Sequence, residues 1–204
     1  MERTTIKEAK EIFGKNFLGP EELEPLFGKM GLKVDFDNVT SVPFSKEQLI
    51  NSAKDGYILG YAIDKVGDTY LNIKLFRDIF GINPEKEPCF YNQDWYLAED
   101  FIQTPLAAGW FLIKKEVFES SRAIMPLDLI AKDIKFPSAI LCTYTFFAYY
   151  FAYGETLWYH DFVWCKDLDH NGDRIYVGKY HDIDGINKNG FSVHRHLALR
   201  PCYG

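Results

Sequence analysis

The sequence has no long run of basic residues, and its overall charge is acidic. Its 204 residues include 23 Lys and Arg against 29 Asp and Glu, which gives a formal net charge of −6. Proteins that bind nucleic acid through its phosphates present clustered Lys and Arg instead. The composition therefore argues against a nucleic-acid partner and leaves protein or small-molecule partners open.

Two further absences concern the cell compartment. The N-terminal stretch MERTTIKEAKEIFG places charged side chains where a secretory signal peptide needs an apolar core. The four cysteines are widely spaced and include no C-x-x-C pair, which is unlike a disulfide scaffold. Both features predict a cytoplasmic protein whose thiols are reduced. The cysteines are Cys89, Cys142, Cys165 and Cys202.

The motifs of the common catalytic sites are also missing. The chain contains no G-x-S-x-G, H-E-x-x-H, G-x-x-x-x-G-K-[ST] or G-x-G-x-x-G pattern. A catalytic cysteine is not favoured either, because Cys142 lies in an apolar stretch and Cys165 lies near carboxylates, which disfavour a thiolate. These observations favour a protein that binds over one that catalyses, and they imply no cofactor.

The chain does contain enough apolar material for a sizeable core. Apolar residues make up 47% of the sequence and aromatic residues 17%. A chain of this length fits one domain. We therefore expect residues 1–204 to form a single domain, within which residues 1–56 could form a helical subdomain.

One charge-free stretch, FPSAILCTYTFFAYYFAYG at 136–154, lies between Lys135 and Glu155. A transmembrane helix needs about 20 mostly apolar residues, and this stretch is slightly short and rich in tyrosine. Tyrosine prefers the membrane interface to the bilayer centre. We therefore expect a buried helix over about 137–153 and no membrane partner.

The first part of the chain carries signals for helix starts. Thr5 and Glu8 have the spacing of a capping box, and Ser45 and Gln48 form a second one. Pro20 suits the first turn of another helix. These signals predict N-terminal helices.

Later segments predict strands mixed with helices. We expect a strand over 57–63, an amphipathic helix over 69–81, and strand-like segments in CFYNQDWYLAEDF and WFLIKKEVF. The last fifty residues alternate between apolar and polar positions and are divided by turn signals, which predicts a three-stranded antiparallel meander. The whole pattern predicts an α+β fold.

The stretch CKDLDHNGDR (165–174) resembles both half of a calcium-binding loop and a tight hairpin. Counted from Asp167, position 12 of an EF-hand loop is Gly178, where that site needs a bidentate Glu. Asn-Gly at the tip favours a two-residue type I′ turn, which would place Asp169 opposite Arg174. We therefore expect a hairpin, with a calcium loop as the alternative.

All five histidines lie in the C-terminal part of the chain, among several aspartates. His194 and His196 are two residues apart on a predicted strand and would share a face. With further ligands they could hold a divalent metal that activates water. Alternatively, both imidazoles face solvent while Val193 and Leu197 point to the core. The residues of the candidate metal site are His181, His194, His196, Asp167 and Asp169.

The segment YNQDWY combines aromatic rings with amide and carboxylate groups. Such a mixture can form a contact surface for a small molecule or a peptide. The alternative is half-buried packing, because large aromatic side chains tend to be buried. The candidate binding residues are Tyr91, Gln93, Asp94, Trp95 and Tyr96.

Three stretches carry a resemblance to a known group of sequences: QDWY, FPSAILCTY and DFVWCKDLDHNGDRIYVGKYHDIDGINKNGF. In these stretches the chain resembles a family of uncharacterised bacterial hypothetical proteins that have no known activity. The resemblance implies a bacterial, single-domain, cytosolic protein and transfers no site residue.

Two hypotheses about function follow from the sequence. The first is a non-catalytic binding or interaction protein of the bacterial cytoplasm. The second is a metal-dependent hydrolase that uses the C-terminal His and Asp residues and a divalent metal.

Overall fold

The computed structural model describes residues 3–181 and 189–197, and it confirms the predicted α+β fold. The α-helices in this part of the chain are α1 (Ile6–Phe13), α2 (Pro20–Met30), α3 (Lys46–Lys54), α4 (Ile73–Phe80), α5 (Pro126–Ala131) and α6 (Ala139–Tyr153). The strands are β1 (Thr4–Thr5), β2 (Phe17–Leu18), β3 (Ser41–Val42), β4 (Tyr57–Ala62), β5 (Lys65–Val66), β6 (Thr69–Tyr70), β7 (Gly109–Lys114), β8 (Phe162–Leu168), β9 (Arg174–His181) and β10 (Asn189–His196).

The N-terminal helices begin where the sequence predicts. At the start of α1 the hydroxyl of Thr5 accepts from the backbone N–H of Glu8, and the Glu8 carboxylate accepts from the N–H of Thr5, both at 3.2 Å. Ser45 and Gln48 form the same reciprocal pair at the start of α3. These bonds satisfy backbone donors that have no partner inside the helix. The helix α2 begins at Pro20, as predicted.

The charge-free stretch forms the predicted buried helix, α6. The helix begins at Ala139, two residues later than expected, because the Ser138 hydroxyl caps it by accepting from the N–H of Leu141 at 3.2 Å. It ends at Tyr153, and the next residue, Gly154, has a φ of 68°, the left-handed conformation that favours glycine. None of the helices in the described residues is long and apolar enough to cross a membrane.

The first sheet has the strand order β2-β4-β7 and separates two hydrophobic clusters. Neighbouring residues of a strand point to opposite faces, so Leu59 of β4 lies in the smaller cluster and Ile58 in the larger one. Helices α1 and α3 contribute Ala9 and Leu49 to the smaller cluster. Helices α2, α4 and α6 supply much of the larger cluster.

The second sheet is the predicted C-terminal meander, with the order β10-β9-β8 and antiparallel pairing throughout. Its inner face carries Ile175, Val177 and Val193, which are buried in the larger cluster. Its outer face carries a band of half-buried rings. These rings belong to Phe162, Trp164, Tyr176, His194 and His196.

Two predicted elements differ from the structure. The segment CFYNQDWYLAEDF was expected to be strand-like, but Trp95–Ala98 and Asp100–Gln103 are 3-10 helices. The helix expected over 69–81 begins only at Ile73, because Thr69–Tyr70 pairs with Lys65–Val66 in a two-stranded hairpin. In the first segment 3-10 turns replace the expected extended backbone, and in the second the pairing of Thr69–Tyr70 with Lys65–Val66 delays the start of the helix.

Candidate functional site

The C-terminal hairpin between β8 and β9 is present, but its turn is one residue longer than predicted. The N–H of Gly172 donates to the carbonyl of Asp169 at 3.0 Å, and the N–H of Asp169 donates to the carbonyl of Asp173 at 2.9 Å. Gly172 has a φ of 82°, the left-handed conformation that ends a three-residue loop. The longer loop shifts the register, so Leu168 and not Asp169 faces Arg174.

Asp169 has protein partners for both carboxylate oxygens. Oδ1 accepts from the N–H groups of Asn171 and Asp173 at 2.8 and 2.9 Å, and Oδ2 accepts from Nη1 of Arg195 at 3.0 Å. Burial opposes ionisation of this carboxyl, but the hydrogen bonds from Asp173, Arg195 and Asn171 outweigh burial and hold its pKa below the usual value. Asp169 is therefore ionised, and its carboxylate holds the hairpin loop through Asn171 and Asp173 and joins it to Arg195.

The hairpin tip and the neighbouring strand β10 both contact residues 95–99, which begin within the segment of predicted binding residues. The guanidinium of Arg195 lies over the Trp95 ring, 4.9 Å from its centroid, and the Trp95 indole donates to the carbonyl of Val193 at 3.1 Å. The buried Glu99 carboxylate accepts from the N–H of His170 at 2.9 Å, and Nδ1 of His170 lies 2.7 Å from its other oxygen. Hydrogen bonds from His170 and the contacts of β10 with Trp95 thus join this end of the second sheet to residues 95–99.

One group in the described residues has the composition of a metal site. Ligand atoms of Glu99, Asp169 and His170 all lie within 4.8 Å of one another. However, the carboxylate oxygens of this group already accept hydrogen bonds from Arg195, His170 and backbone N–H groups. A cation would have to displace Arg195 from Asp169. The arrangement suits a structural ion-pair network.

The residues of the predicted metal site lie in different surroundings. Asp167 accepts from the N–H of Ala139 at 2.7 Å, at the start of α6. His194 and His196 lie on the outer sheet face, against Tyr176 and Trp164 respectively. His181 lies beside Tyr159 and His160, at 6.1 and 6.5 Å between ring centroids. Of the predicted ligands, Asp169 alone belongs to the group in which the described ligand atoms converge.

The predicted binding residues other than Trp95 mainly make packing contacts. The Tyr91 ring contacts the Tyr180 ring edge-on at 5.2 Å. Tyr96 is buried, and its hydroxyl accepts from Nε of Arg77 at 3.2 Å. The carbonyl of Gln93 also accepts from Arg77, whereas Asp94 is exposed at the start of a 3-10 helix. A binding role for this segment remains a prediction.

An apolar cleft, missed at the sequence level, lies between the two sheets. Its volume is about 330 Å³. Each of its two strand walls is an edge strand: β7 is the last strand of the first sheet and β8 the last strand of the second. Strand β7 contributes Leu112, and β8 contributes Phe162, Val163 and Trp164. In the described part of the chain no further strand pairs with β7 or β8 on the sides that face the cleft.

The remaining walls of the cleft come from the chain between the two sheets. Val117 and Phe118 follow β7, Leu129 lies on α5, and the segment 134–137 leads into Leu141 of α6. This segment is held against β8, because the N–H of Lys166 donates to the carbonyl of Pro137 at 2.8 Å. The guanidinium of Arg174 lies 5.5 Å from the centroid of the Phe136 ring. These contacts attach this wall of the cleft to the second sheet.

Three charged side chains line the cleft: Lys114, Lys135 and Glu116. The Lys114 ammonium lies 4.5 Å from the centroid of the Tyr57 ring and 4.9 Å from that of Phe118. Both rings are also cleft residues. Such cation–π contacts hold the ammonium beside the apolar wall. The cleft therefore combines apolar walls with a small excess of positive charge.

The band of rings on the second sheet extends from the cleft. Phe162 and Trp164 line the cleft and also contact Tyr176, with centroids 5.4 and 5.2 Å apart. Tyr176 in turn stacks on His194 at 5.1 Å. Burial lowers the pKa of His194 to about 4, so its ring is neutral at physiological pH. The rings of Tyr176 and His194 thus continue the cleft wall sideways across the outer face of the second sheet.

Comparisons of the chain with protein-family models, with curated proteins and with solved structures each found no match. The cleft left no motif in the sequence, because its walls come from separate segments that each contribute ordinary apolar residues. The available signal was the prediction of a strand in WFLIKKEVF and of a first strand in the C-terminal meander, because these two strands form the strand walls.

Proposed function

We propose that the protein is a non-catalytic binding protein of the bacterial cytoplasm, and that it holds a small apolar molecule in the cleft between β7 and β8. The observation that carries the proposal is the cleft itself, with a volume of about 330 Å³ and predominantly apolar walls. Small-molecule sites are typically concave, mostly apolar and about 300–1,000 Å³ in volume. The cleft meets each of these criteria.

The positions of the cleft residues also favour binding. Phe162 and Trp164 belong to strand β8, and both rings contact the Tyr176 ring on the neighbouring strand β9. A preformed site loses little conformational entropy when a ligand enters. Burial of apolar ligand surface against such walls then supplies the binding free energy.

The metal-dependent hydrolase has weaker support. The convergence of Glu99, Asp169 and His170 favours it, but the Asp169 carboxylate is paired with Arg195. The other predicted ligands, Asp167, His181, His194 and His196, lie outside that group. Elemental analysis of the purified protein and thermal shifts with zinc, manganese and calcium test this alternative directly.

The binding proposal is tested with N-phenyl-1-naphthylamine, a neutral dye whose fluorescence increases in apolar surroundings. We expect saturable binding of one dye per chain. The variant Val117→Trp adds a ring to the half-buried lining of the cleft and should weaken dye binding at least tenfold by filling the space. The measurement is a fluorescence titration of each protein.

The matched control is Leu127→Trp, which adds the same ring at a position on α5 that is 71% exposed. This variant should bind the dye like the wild-type protein. Circular dichroism melting of both variants shows that each one is folded. The proposal fails if the wild-type protein shows no saturable binding, or if Val117→Trp and Leu127→Trp bind the dye equally.

A further inference from the structure

We infer that the ligand of the cleft is a medium-chain aliphatic carboxylate, bound with its carboxylate near Lys114 and Lys135 and its chain against the apolar walls. This inference rests on the proposed function, because it names the chemical class of the molecule that the cleft would hold. Three observations support it: the sign of the charge at the cleft, the lack of acidic partners for its lysines among the residues that the structure describes, and the size of the cleft.

The first observation is the charge of the residues that line the cleft. Lys114 and Lys135 contribute two positive charges, and Glu116 contributes one negative charge. The excess of one positive charge contrasts with the acidic net charge of −6 of the whole chain. Local charge of this sign attracts an anion and disfavours a cation.

The second observation is that these two lysines have no acidic partner in the described part of the chain. The ion pairs found there use other cations, such as Lys10, Lys15 and Arg122. Instead, the Lys114 ammonium donates to the backbone carbonyl of Asp55 and lies beside the rings of Tyr57 and Phe118, which leaves two of its three N–H donors for a ligand. An ammonium held beside apolar surface with no carboxylate of its own suits the carboxylate of a ligand.

The third observation concerns the size and the walls of the cleft. A volume of about 330 Å³ lies near the lower end of the range for ligand sites, which is about 300–1,000 Å³. This size suits a medium-length chain better than a long-chain lipid. Leu112, Leu129, Leu141 and Val163 offer aliphatic surface, and each buried CH2 group raises affinity about fourfold.

The test compares three ten-carbon molecules that differ in charge: decanoate, decanol and decyltrimethylammonium. Each is titrated at pH 7 into the protein loaded with N-phenyl-1-naphthylamine, and displacement of the dye gives its affinity. We expect decanoate to bind most tightly and decyltrimethylammonium least tightly. Because the lysines are near solvent, added salt should weaken the binding of decanoate and leave that of decanol unchanged.

Three single variants test the residues. Lys135→Ala should weaken decanoate binding about two- to fivefold and leave decanol unaffected. Lys132→Ala removes the same charge from an exposed position at the end of α5, outside the cleft lining, and should bind decanoate like the wild-type protein. Glu116→Gln should strengthen decanoate binding, because it removes the one negative charge of the lining.

The outcomes separate the inference from the proposed function. If the dye binds in the cleft but the three ten-carbon molecules displace it equally, the ligand class is wrong and the binding function stands. The same conclusion follows if Lys135→Ala and Lys132→Ala lower the affinity for decanoate equally. If the dye itself does not bind, both the function and the ligand class are wrong.

Discussion

At the scale of single residues, His194 shows how burial changes the chemistry of a side chain. Its ring stacks on Tyr176 and meets the edge of Phe162. Its Nε2 atom is buried and has no hydrogen-bond partner in the part of the chain that the structure describes. Protonation would place a charge among these rings, which is why burial lowers the pKa of His194 to about 4.

This burial predicts a pH dependence of folding stability. In the unfolded chain a histidine has a pKa of about 6.5, so between this value and about 4 the unfolded state binds more protons at His194 than the folded state does. The free energy of unfolding should therefore fall as the pH drops through this window. The variant His194→Phe removes the titration, keeps a flat ring against Tyr176, and should lose less stability between pH 7.5 and 5.

Urea unfolding of the wild-type protein and of His194→Phe at several pH values measures this effect. At pH 7.5 the variant should be about as stable as the wild-type protein, because both rings are then neutral. If the free energy of unfolding fell equally with pH in the two proteins, the pKa of His194 would be the same in the folded and unfolded states, and the prediction would be wrong.

Asp169 shows which part of a polar site the sequence predicts and which part it does not. Asn171-Gly172 predicts a hairpin because the turn preference is local, and the hairpin is present. The predicted partner of Asp169 was Arg174, but the loop holds one more residue and Arg195 takes that place. Arg195 lies on the third strand of the meander, so the pairing depends on tertiary packing, which no local rule specifies.

At the scale of elements, the start of α6 depends on a side chain from another part of the chain. Oδ2 of Asp167, on β8, accepts from the N–H of Ala139 at 2.7 Å. This bond satisfies one of the backbone donors that a helix start leaves free, and it places a carboxylate at the positive end of the helix dipole. Asp167 thus ties β8 to the most buried helix.

We expect Asp167→Ala to destabilise the protein by about 1–2 kcal/mol, because the Ala139 donor then loses its acceptor in a partly buried position. The matched variant Asp167→Asn keeps an acceptor oxygen and should lose less than half of that amount. Urea unfolding at pH 7 gives the two free energies. Equal stability of the alanine variant and the wild-type protein would mean that solvent replaces this bond at no cost.

The elements also differ in how well the sequence predicts them. The capping boxes at Thr5 and Ser45 and the glycine that ends α6 are local signals, and all three predicted helices are present. The segment CFYNQDWYLAEDF was predicted to be strand-like, but Trp95–Ala98 and Asp100–Gln103 are 3-10 helices. Its Trp95 indole bonds to the carbonyl of Val193, a tertiary contact that fixes a non-extended backbone. The cleft could not be predicted for the same reason, since it exists only where two sheets come together.

At the scale of the whole molecule, the β2-β4-β7 sheet joins the two hydrophobic clusters. Adjacent residues of β2 contribute to different clusters, Phe17 to the smaller one and Leu18 to the larger one. Strand β2 pairs with β4, and helix α2 packs against α6. The sequence suggested residues 1–56 as a helical subdomain. The residues of this segment that the structure describes contribute to both hydrophobic clusters.

This shared sheet predicts one cooperative unfolding transition for the whole chain. Leu49 on α3 is fully buried in the smaller cluster, and Ile140 on α6 is almost fully buried in the larger one. Leu49→Ala and Ile140→Ala should each lower the free energy of unfolding by about 2–5 kcal/mol. Because both clusters pack on one sheet, each variant should shift the entire transition and leave it as a single step.

Urea unfolding followed by far-ultraviolet circular dichroism and by tryptophan fluorescence measures this cooperativity. The two signals should coincide in the wild-type protein and in both variants. If Leu49→Ala alone separated the transition into two steps, the smaller cluster would unfold by itself, and residues 1–56 would behave as the independent helical subdomain. Coincident transitions in Leu49→Ala would instead show that removing apolar contacts on one face of the β2-β4-β7 sheet destabilises the packing on its other face as well.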